Sequence, residues 1–356
     1  MGFFMSFKYG HAKATLASVL LFFAGAGHSH AEALPGAGRF DYRIEIPAGD
    51  TDPATFIPVT EIRGAKPGPT LFISTGVHGY EFAPILAAEK LADDIDPNLL
   101  SGTVLLSRPS HISAFESRSP YINPHDKKNL NRSFPGSEEG TQTERIAHAL
   151  ATQLITNADF VVDVHSGDGA EWLHPFIGVY GGPLASDYPS ALRFAEAFGI
   201  PALVRYQMRT QAQIDKGRSL NRQGVAAGAP TILVEIGQNG GRDPAHVRAI
   251  VSGLKAGMQT LGMLPASGIG QTTQHRYYEG THSVSVGHSG IWHPTEAGGR
   301  DVTKDDVIGV IRDYSGAVVE TVTATASGFA IYGLAGPPVR KGESVMTIAL
   351  PVDSFD

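Results

Sequence analysis

The sequence predicts an α/β fold, a sheet with helices on both faces, followed by a small all-β domain. Three observations carry that prediction. From about residue 40 to residue 264, helix-like and strand-like segments alternate, which points to a sheet layered with helices rather than to an all-α or all-β chain. At 264–273 the composition shifts to LPASGIGQTT, a Pro/Gly/Ser/Thr stretch with the character of a linker. Beyond it, short alternating segments and glycine turns take over. The expected organisation is a segment at 1–33 removed on export, an α/β domain at 36–265, a linker at 266–273 and a β domain at 274–352.

Taken in order, Lys8 and Lys13 precede the apolar run 14–27, ATLASVLLFFAGAG, and small residues at Ser29 and Ala31 follow it. That is the layout of a secretory signal peptide cleaved near Ala31 or Ala33, with an uncleaved anchor as the alternative. The run is short for a membrane span. Residues 70–74 are a β-leaning run, and Gly76 and Gly79 let the chain turn sharply after it. Residues 81–95 carry apolar side chains at helical spacing, and 103–107, TVLLS, read as a strand. Thr141 opens a helix with a capping box, since Glu144 lies three residues on, and Ile146, Ala147, Leu150 and Leu154 mark its apolar face. The remaining segments are a strand at 160–164, a helix at 189–198 closed by Gly199, a strand at 231–236 and a helix at 243–261.

Composition narrows the function. The 356 residues are 42% hydrophobic and 18% charged with a net charge of −7, ordinary for a soluble enzyme and contrary to a nucleic-acid binder. Past the N-terminal run no segment approaches membrane length. With no cysteine in the chain, thiolate ligands and a cysteine nucleophile are excluded, and any metal must be held by His, Asp or Glu.

The chemistry concentrates where strands end. His78 and Glu81 follow the strand at 70–74, and His165 follows FVVDV at 160–164. In open α/β sheets ligands bind at the carboxyl ends of strands. Two histidines and a glutamate with one short spacing match a catalytic zinc site that leaves its fourth position to water. The alternative reading is a loop histidine, a helix N-terminal glutamate and a strand-capping histidine. TILV at 231–234 delivers Glu235 to the same rim, where it is placed to take a proton from a water of lowered pKa or else to sit in a salt bridge. Arg132 offers a planar fork for a carboxylate with Asn131 beside it, and Arg118 lies fourteen residues upstream of Arg132 in a Ser/Pro/Asn-rich loop. Gly287-His288-Ser289-Gly290 suggests a serine-hydrolase elbow, but Ile291 stands where its last glycine should be.

GVHGYE, NLNRSFPG, VVDVHSG and ILVEIG occur in the order and context of the succinylglutamate desuccinylase/aspartoacylase family, the deacylase branch of the zinc carboxypeptidase-like superfamily, which the chain resembles over residues 72–237. The resemblance implies a carboxypeptidase-like mixed central sheet and one Zn²⁺ per chain. By it His78, Glu81 and His165 match the zinc ligands and Glu235 the general acid/base. Asn131 and Arg132 match the pair that binds a substrate carboxylate, and Arg118 resembles the arginine that polarises the scissile carbonyl. The implied reaction is hydrolysis of an amide bond in an N-acyl amino acid, with an exported carboxypeptidase acting on short peptides and a non-catalytic zinc-binding protein as rivals. Segments 309–328 and 339–345 resemble the barrel-sandwich hammerhead of lipoyl and biotinyl carriers. The comparable turn, 312–316, lacks their lysine, and Lys304 and Lys341 fall in connecting turns, so no covalent cofactor is expected. By resemblance the β domain lies over the rim and narrows access.

Overall fold

The computed structural model describes residues 36–216, 218–266, 273–296 and 298–355. The expected signal peptide, and residues 267–272 of the expected linker, lie outside them. Among the described residues no helix is long and apolar enough to cross a membrane.

The α/β part runs β1 (Gly38–Ile46), β2 (Thr55–Arg63), β3 (Lys66–Thr75), α1 (Phe82–Asp94), β4 (Ser101–Ser107), α2 (Ile112–Glu116), α3 (Gln142–Ala149), β5 (Phe160–His165), β6 (Glu171–Leu173), β7 (Phe176–Gly181), α4 (Tyr188–Ala197), β8 (Ala202–Gln207), α5 (Gln211–Lys216), α6 (Leu220–Ala226), β9 (Thr231–Glu235) and α7 (Pro244–Thr260). Alternation along the strands explains the layers. Leu71 and Ile73 of β3 and Val162 and Val164 of β5 join a core with Leu91 of α1, Phe194 of α4 and Leu254 of α7. Phe72 and Val161, one residue out of phase, point through the other face into a second core with Ile146 and Ala147 of α3 and Leu150 just beyond it. Helices therefore cover both faces, as the sequence predicts. The capping box forms, with the Thr141 N–H donating to Glu144 Oε2 at 2.9 Å.

The strands order as β1-β2-β4-β3-β5-β9-β7-β8. The run β4-β3-β5-β9 is parallel and β7 enters antiparallel to β9, so the sheet is mixed. This register brings the carboxyl ends of β3, β5 and β9 side by side: Thr75 lies opposite Val164, and His165 opposite Glu235.

The C-terminal region contributes β10 (Arg276–Ser285), β11 (Gly290–Pro294), β12 (Asp301–Val302), β13 (Val307–Arg312), β14 (Val318–Thr323), β15 (Gly328–Leu334), β16 (Pro338–Val339) and β17 (Ser344–Val352). Four of these build a separate small sheet, β14-β13-β11-β16. The others extend the central sheet, because β10 pairs in parallel with β8 and carries β17, β15 and β12 beyond it. A core of Phe176, Val204, Tyr278, Phe329 and Ile331 is shared across the junction, and residues from 36 onward form one compact unit. The expected division near residue 274 is thus a change of composition within a continuous sheet. The 312–316 turn joins β13 to β14, with Asp313 Oδ1 accepting the Ser315 and Ala317 N–H groups at 2.9 Å each. Lys304 and Lys341 sit in turns.

Candidate metal centre and active site

The chain leaves β3 through Gly76 in the left-handed region, φ 66°, where a side chain would be strained and its Cβ would meet Pro109. Gly79 is needed for a different reason. A Cβ there would come within 2.1 Å of the Ala114 backbone, so only glycine lets α2 close against this loop. The result is a tight bend that holds His78 9% and Glu81 2% exposed. Glu81 stands at the N-terminal end of α1, yet its carboxylate makes no cap hydrogen bond. Its two oxygens go instead to imidazoles, Oε1 to His78 Nδ1 at 2.7 Å and Oε2 to His165 Nδ1 at 2.8 Å.

The far nitrogen of each ring is held as well. His165 Nε2 lies 3.0 Å from Asp163 Oδ2, and His78 Nε2 lies 3.1 Å from Asn129 Oδ1. With Nε2 held by an acceptor and Nδ1 by a Glu81 oxygen, both rings are fixed in orientation, and a cation at the Nδ1 side would take the place of the proton shared with Glu81. One donor atom from each of His78, Glu81 and His165 falls within a group spanning no more than 4.8 Å. Charge makes the same demand. Burial pushes the Glu81 carboxyl up, but positive charge on His165 and His78 and their hydrogen bonds override it and hold it at about 2. Burial works against protonation of both rings, yet both end above the usual histidine value, His165 through Asp163 and Glu81 and His78 through Glu81. Two imidazoles and a carboxylate, buried and converging, are the donor set that zinc takes, so the residues present fit a zinc ion.

Around this centre the rim is acidic. Glu235 ends β9 opposite His165. Burial lifts its carboxyl well above the usual range; His165 pulls it back, and Glu81, Glu171 and Asp163 push it up further. Asp168 is fully buried and raised to about 7, first by burial and then by the charge of Glu81. Tyr121 stands edge-on to His78, ring centroids 5.9 Å apart, and its N–H donates to Asp168 Oδ2 at 2.7 Å.

The structure thus brings His78, Glu81, His165 and Glu235 together. Asn131, expected at a substrate carboxylate, is buried and already engaged. Its Oδ1 accepts the Leu220 N–H at 2.8 Å, which sets its Nδ2 3.3 Å from His165 Nε2. Arg132 is exposed and donates from Nη1 to the Asn131 carbonyl at 2.7 Å. Arg118 is exposed at φ 49°, on the segment that leads into Tyr121. Neither arginine is ion-paired among the described residues. Among the described residues the Gly287–Gly290 motif forms no triad: Ser289 Oγ accepts the Lys341 N–H at 2.9 Å and His288 meets Glu320.

Sequence reasoning missed Asp163, Asn129, Asp168, Glu171 and Tyr121. Asp163 had a signal, because a carboxylate inside the buried run FVVDV is anomalous and residues two apart on a strand share a face with it.

The succinylglutamate desuccinylase/aspartoacylase catalytic domain matches residues 67–261, more than half of the chain. The chain belongs to this family. Its members are deacylating hydrolases that are in general zinc-dependent, and the buried His78–Glu81–His165 group is a donor set of the kind such a metal needs. An N-alpha-acetyl-L-2,4-diaminobutyric acid deacetylase of Halomonas elongata is 28% identical over 309 residues, covering 85% of this chain and 88% of that protein. The fold is shared with a succinylglutamate desuccinylase/aspartoacylase from Rhodobacter sphaeroides, at TM-score 0.77 and 23% identity over 90% of this chain and 97% of that one. It is shared also with the product-bound ectoine utilization protein EutE (DoeB) from Ruegeria pomeroyi, at TM-score 0.78 and 23% identity over 89% and 98%.

Proposed function

We propose that this protein is a zinc-dependent deacylase that hydrolyses the amide bond of a small N-acyl amino acid, with Glu235 as general base. One observation carries the reading: three buried donors converge while the other nitrogen of each imidazole is held by an acceptor of its own. The Halomonas relative, a deacetylase of an acylated amino acid, supports the substrate class.

His78, Glu81 and His165 would hold the ion. Bound there, zinc supplies Lewis acidity that polarises the acyl carbonyl and lowers the pKa of water towards about 7. Glu235, its carboxyl lifted by burial, accepts a proton from the attacking water and returns it to the departing amine. Arg132 holds the substrate carboxylate and Arg118 faces the charge developing on the carbonyl oxygen. Asn131 lies beside His165 through its side chain and accepts from Arg132 Nη1 through its carbonyl. Asp163 and Asn129 keep both imidazoles in the tautomer that presents Nδ1.

Pairing of β6 with β15 sets Tyr332 of the C-terminal region opposite Leu173, and the Tyr332 hydroxyl reaches Glu171. A wall built this way favours small substrates over long peptides. We further propose, from Lys8, Lys13 and the apolar run 14–27, that the protein is exported by a cleaved signal peptide; N-terminal sequencing of the mature protein from an exported fraction tests this. The activity is tested by incubating zinc-loaded protein with a panel of N-acyl amino acids and dipeptides and following amine release. Release from the acylated amino acids is expected. Release confined to the peptides would replace the deacylase by a carboxypeptidase.

A further inference from the structure

Both sheets end in strands that pair on one side only, and one of these edges differs from the rest. Among the described residues the open edges are β6, β12 and β16, of two or three residues each, β14, whose pairing with β13 shifts register twice, and β1. Short or irregular edge strands offer little for another chain to pair with. β1 is nine residues long, GRFDYRIEI, carries no proline or lysine, and keeps one unbroken register with β2 from Gly38 opposite Arg63 to Ile46 opposite Thr55. Its outer edge is therefore a flat template for a further strand.

The direction of its backbone groups follows from a neighbour. Pro58 of β2, opposite Arg43, has no N–H, and its carbonyl turns to the other side of β2, where it accepts the Arg108 N–H at 3.3 Å. Arg43 therefore pairs with nothing on β2 through its own N–H and C=O, which face outward, as by alternation do those of Arg39, Asp41 and Glu45. The side chains of these residues share one face of the strand, and Phe40, Tyr42, Ile44 and Ile46 share the other. Ile44 and Ile46 enter the core shared with α3, whereas Phe40 and Tyr42 each stay 40% exposed. Arg39 meets Asp93 of α1 and Asp41 meets Arg108, but neither Arg43 nor Glu45 is ion-paired among the described residues.

The order of charges selects the occupant. Laid antiparallel on a copy of itself with Tyr42 opposite Tyr42, β1 sets Arg39 against Glu45, Asp41 against Arg43 and Phe40 against Ile44, so every charge meets its opposite and the exposed aromatics meet apolar partners. No neighbouring register does this. A slip of one residue lays the charged face of one strand on the apolar face of the other. Centring on Asp41 opposes Arg39 to Arg43 and Asp41 to itself, and centring on Arg43 opposes Asp41 to Glu45 and Arg43 to itself. We propose that β1 is a dimer interface, pairing about a twofold axis at Tyr42 with β1 of a second copy of this chain and joining two sheets into one. β2 and β4 stand between β1 and β3, the strand that leads to His78, so the contact is separate from the metal centre and rests on no part of the deacylase reading.

The test is the oligomeric state of the purified protein, by sedimentation velocity from about 1 to 100 μM, where a dimer should dominate at the upper end. Arg43→Pro removes an outward N–H without touching the ladder to β2, and Arg43→Asp sets like charges together on both sides of the axis. Each should weaken the dimer by about 10- to 100-fold with far-UV circular dichroism unchanged. Asp41→Arg should do the same, whereas mixing the Arg43→Asp and Asp41→Arg proteins restores opposite charges and should give the heterodimer. Register is read by cross-linking, because the chain has no cysteine of its own. Tyr42→Cys brings two thiols to the axis, with Cα atoms about 4.5 Å apart, and should form an interchain disulfide on mild oxidation; in Phe40→Cys they stand roughly 14 Å apart and should not. A monomer across the whole range would overturn the proposal and leave the edge to a strand of a different protein. A dimer indifferent to Arg43→Pro and to both charge variants, or cross-linking preferentially through Phe40→Cys, would overturn it as well. If a charge or proline variant fails to fold, the wild-type mass and the Tyr42→Cys cross-link decide.

Discussion

Two groups of buried charge in this molecule are built to opposite ends. Between the segment before β2 and helix α3, Asp52 and Arg145 form a closed pair: the guanidinium meets Asp52 Oδ1, and Asp52 Oδ2 accepts the Gln142 N–H at 3.0 Å. One charge of each sign is present, and the anion also completes the first turn of α3. At the rim of β3, β5 and β9 the carboxylates outnumber every cation the chain itself supplies. A balanced pair needs nothing from outside and fixes the structure. An unbalanced group at the carboxyl ends of parallel strands is suited to bind cations and protons, and burial beside like charge raises the carboxyl groups of Asp168, Glu171 and Glu235.

The comparison can be broken at several points. The largest effect is expected at Glu235. Glu235→Gln keeps shape and polarity but removes the base, so turnover should fall by roughly 10² to 10⁴ while zinc stays bound; steady-state kinetics with metal analysis on the same sample measures both. Next is Asp163→Asn, which removes the anion behind His165 and should weaken zinc binding by about 10- to 100-fold in a chelator competition. An unchanged affinity would make Asp163 an ordinary core carboxylate. Arg132→Ala should raise KM by about tenfold with kcat nearly constant, and the same loss on a substrate whose carboxylate is amidated would remove Arg132 from that role.

The smallest effect on chemistry belongs to the balanced pair. Asp52→Asn should leave turnover unchanged and cost about 2 to 4 kcal/mol of stability at neutral pH. Burial alone would raise the Asp52 carboxyl, but the Arg145 and Gln142 hydrogen bonds hold it below its ordinary 3.8. A folded value depressed in this way contributes stability above the unfolded value and loses it as pH falls through the folded one. The difference between wild type and variant in denaturant titrations should therefore be full at neutral pH and shrink below pH ~4. A difference that grows on acidification would contradict the pairing.

What the sequence disclosed, and what it hid, follows the reach of each interaction. His78 and Glu81 were legible because a strand, two glycines and a helix start lie within a dozen residues. His165 and Glu235 were legible because a buried run ends abruptly in a polar residue, and parallel register then places those ends together. Asp168 and Glu171 were not, since their partners Tyr121 and Tyr332 come from a loop 47 residues earlier and a strand of the C-terminal region. The same distance hid the continuity of the sheet. A short alternating segment such as β10 reads alike whether it joins β8 or stays within a small β domain, and only pairing decides. Asn131 was placed by its motif, which does not reveal that the Leu220 N–H turns its amide towards His165.

The central claim, that His78, Glu81 and His165 hold a catalytic metal while Glu235 acts beside it, is tested most directly by the zinc content of three purified proteins. Elemental analysis should find about one zinc per chain in the wild type and in Glu235→Gln, and essentially none in His165→Ala. Full zinc in His165→Ala, or its loss from Glu235→Gln, would contradict the account.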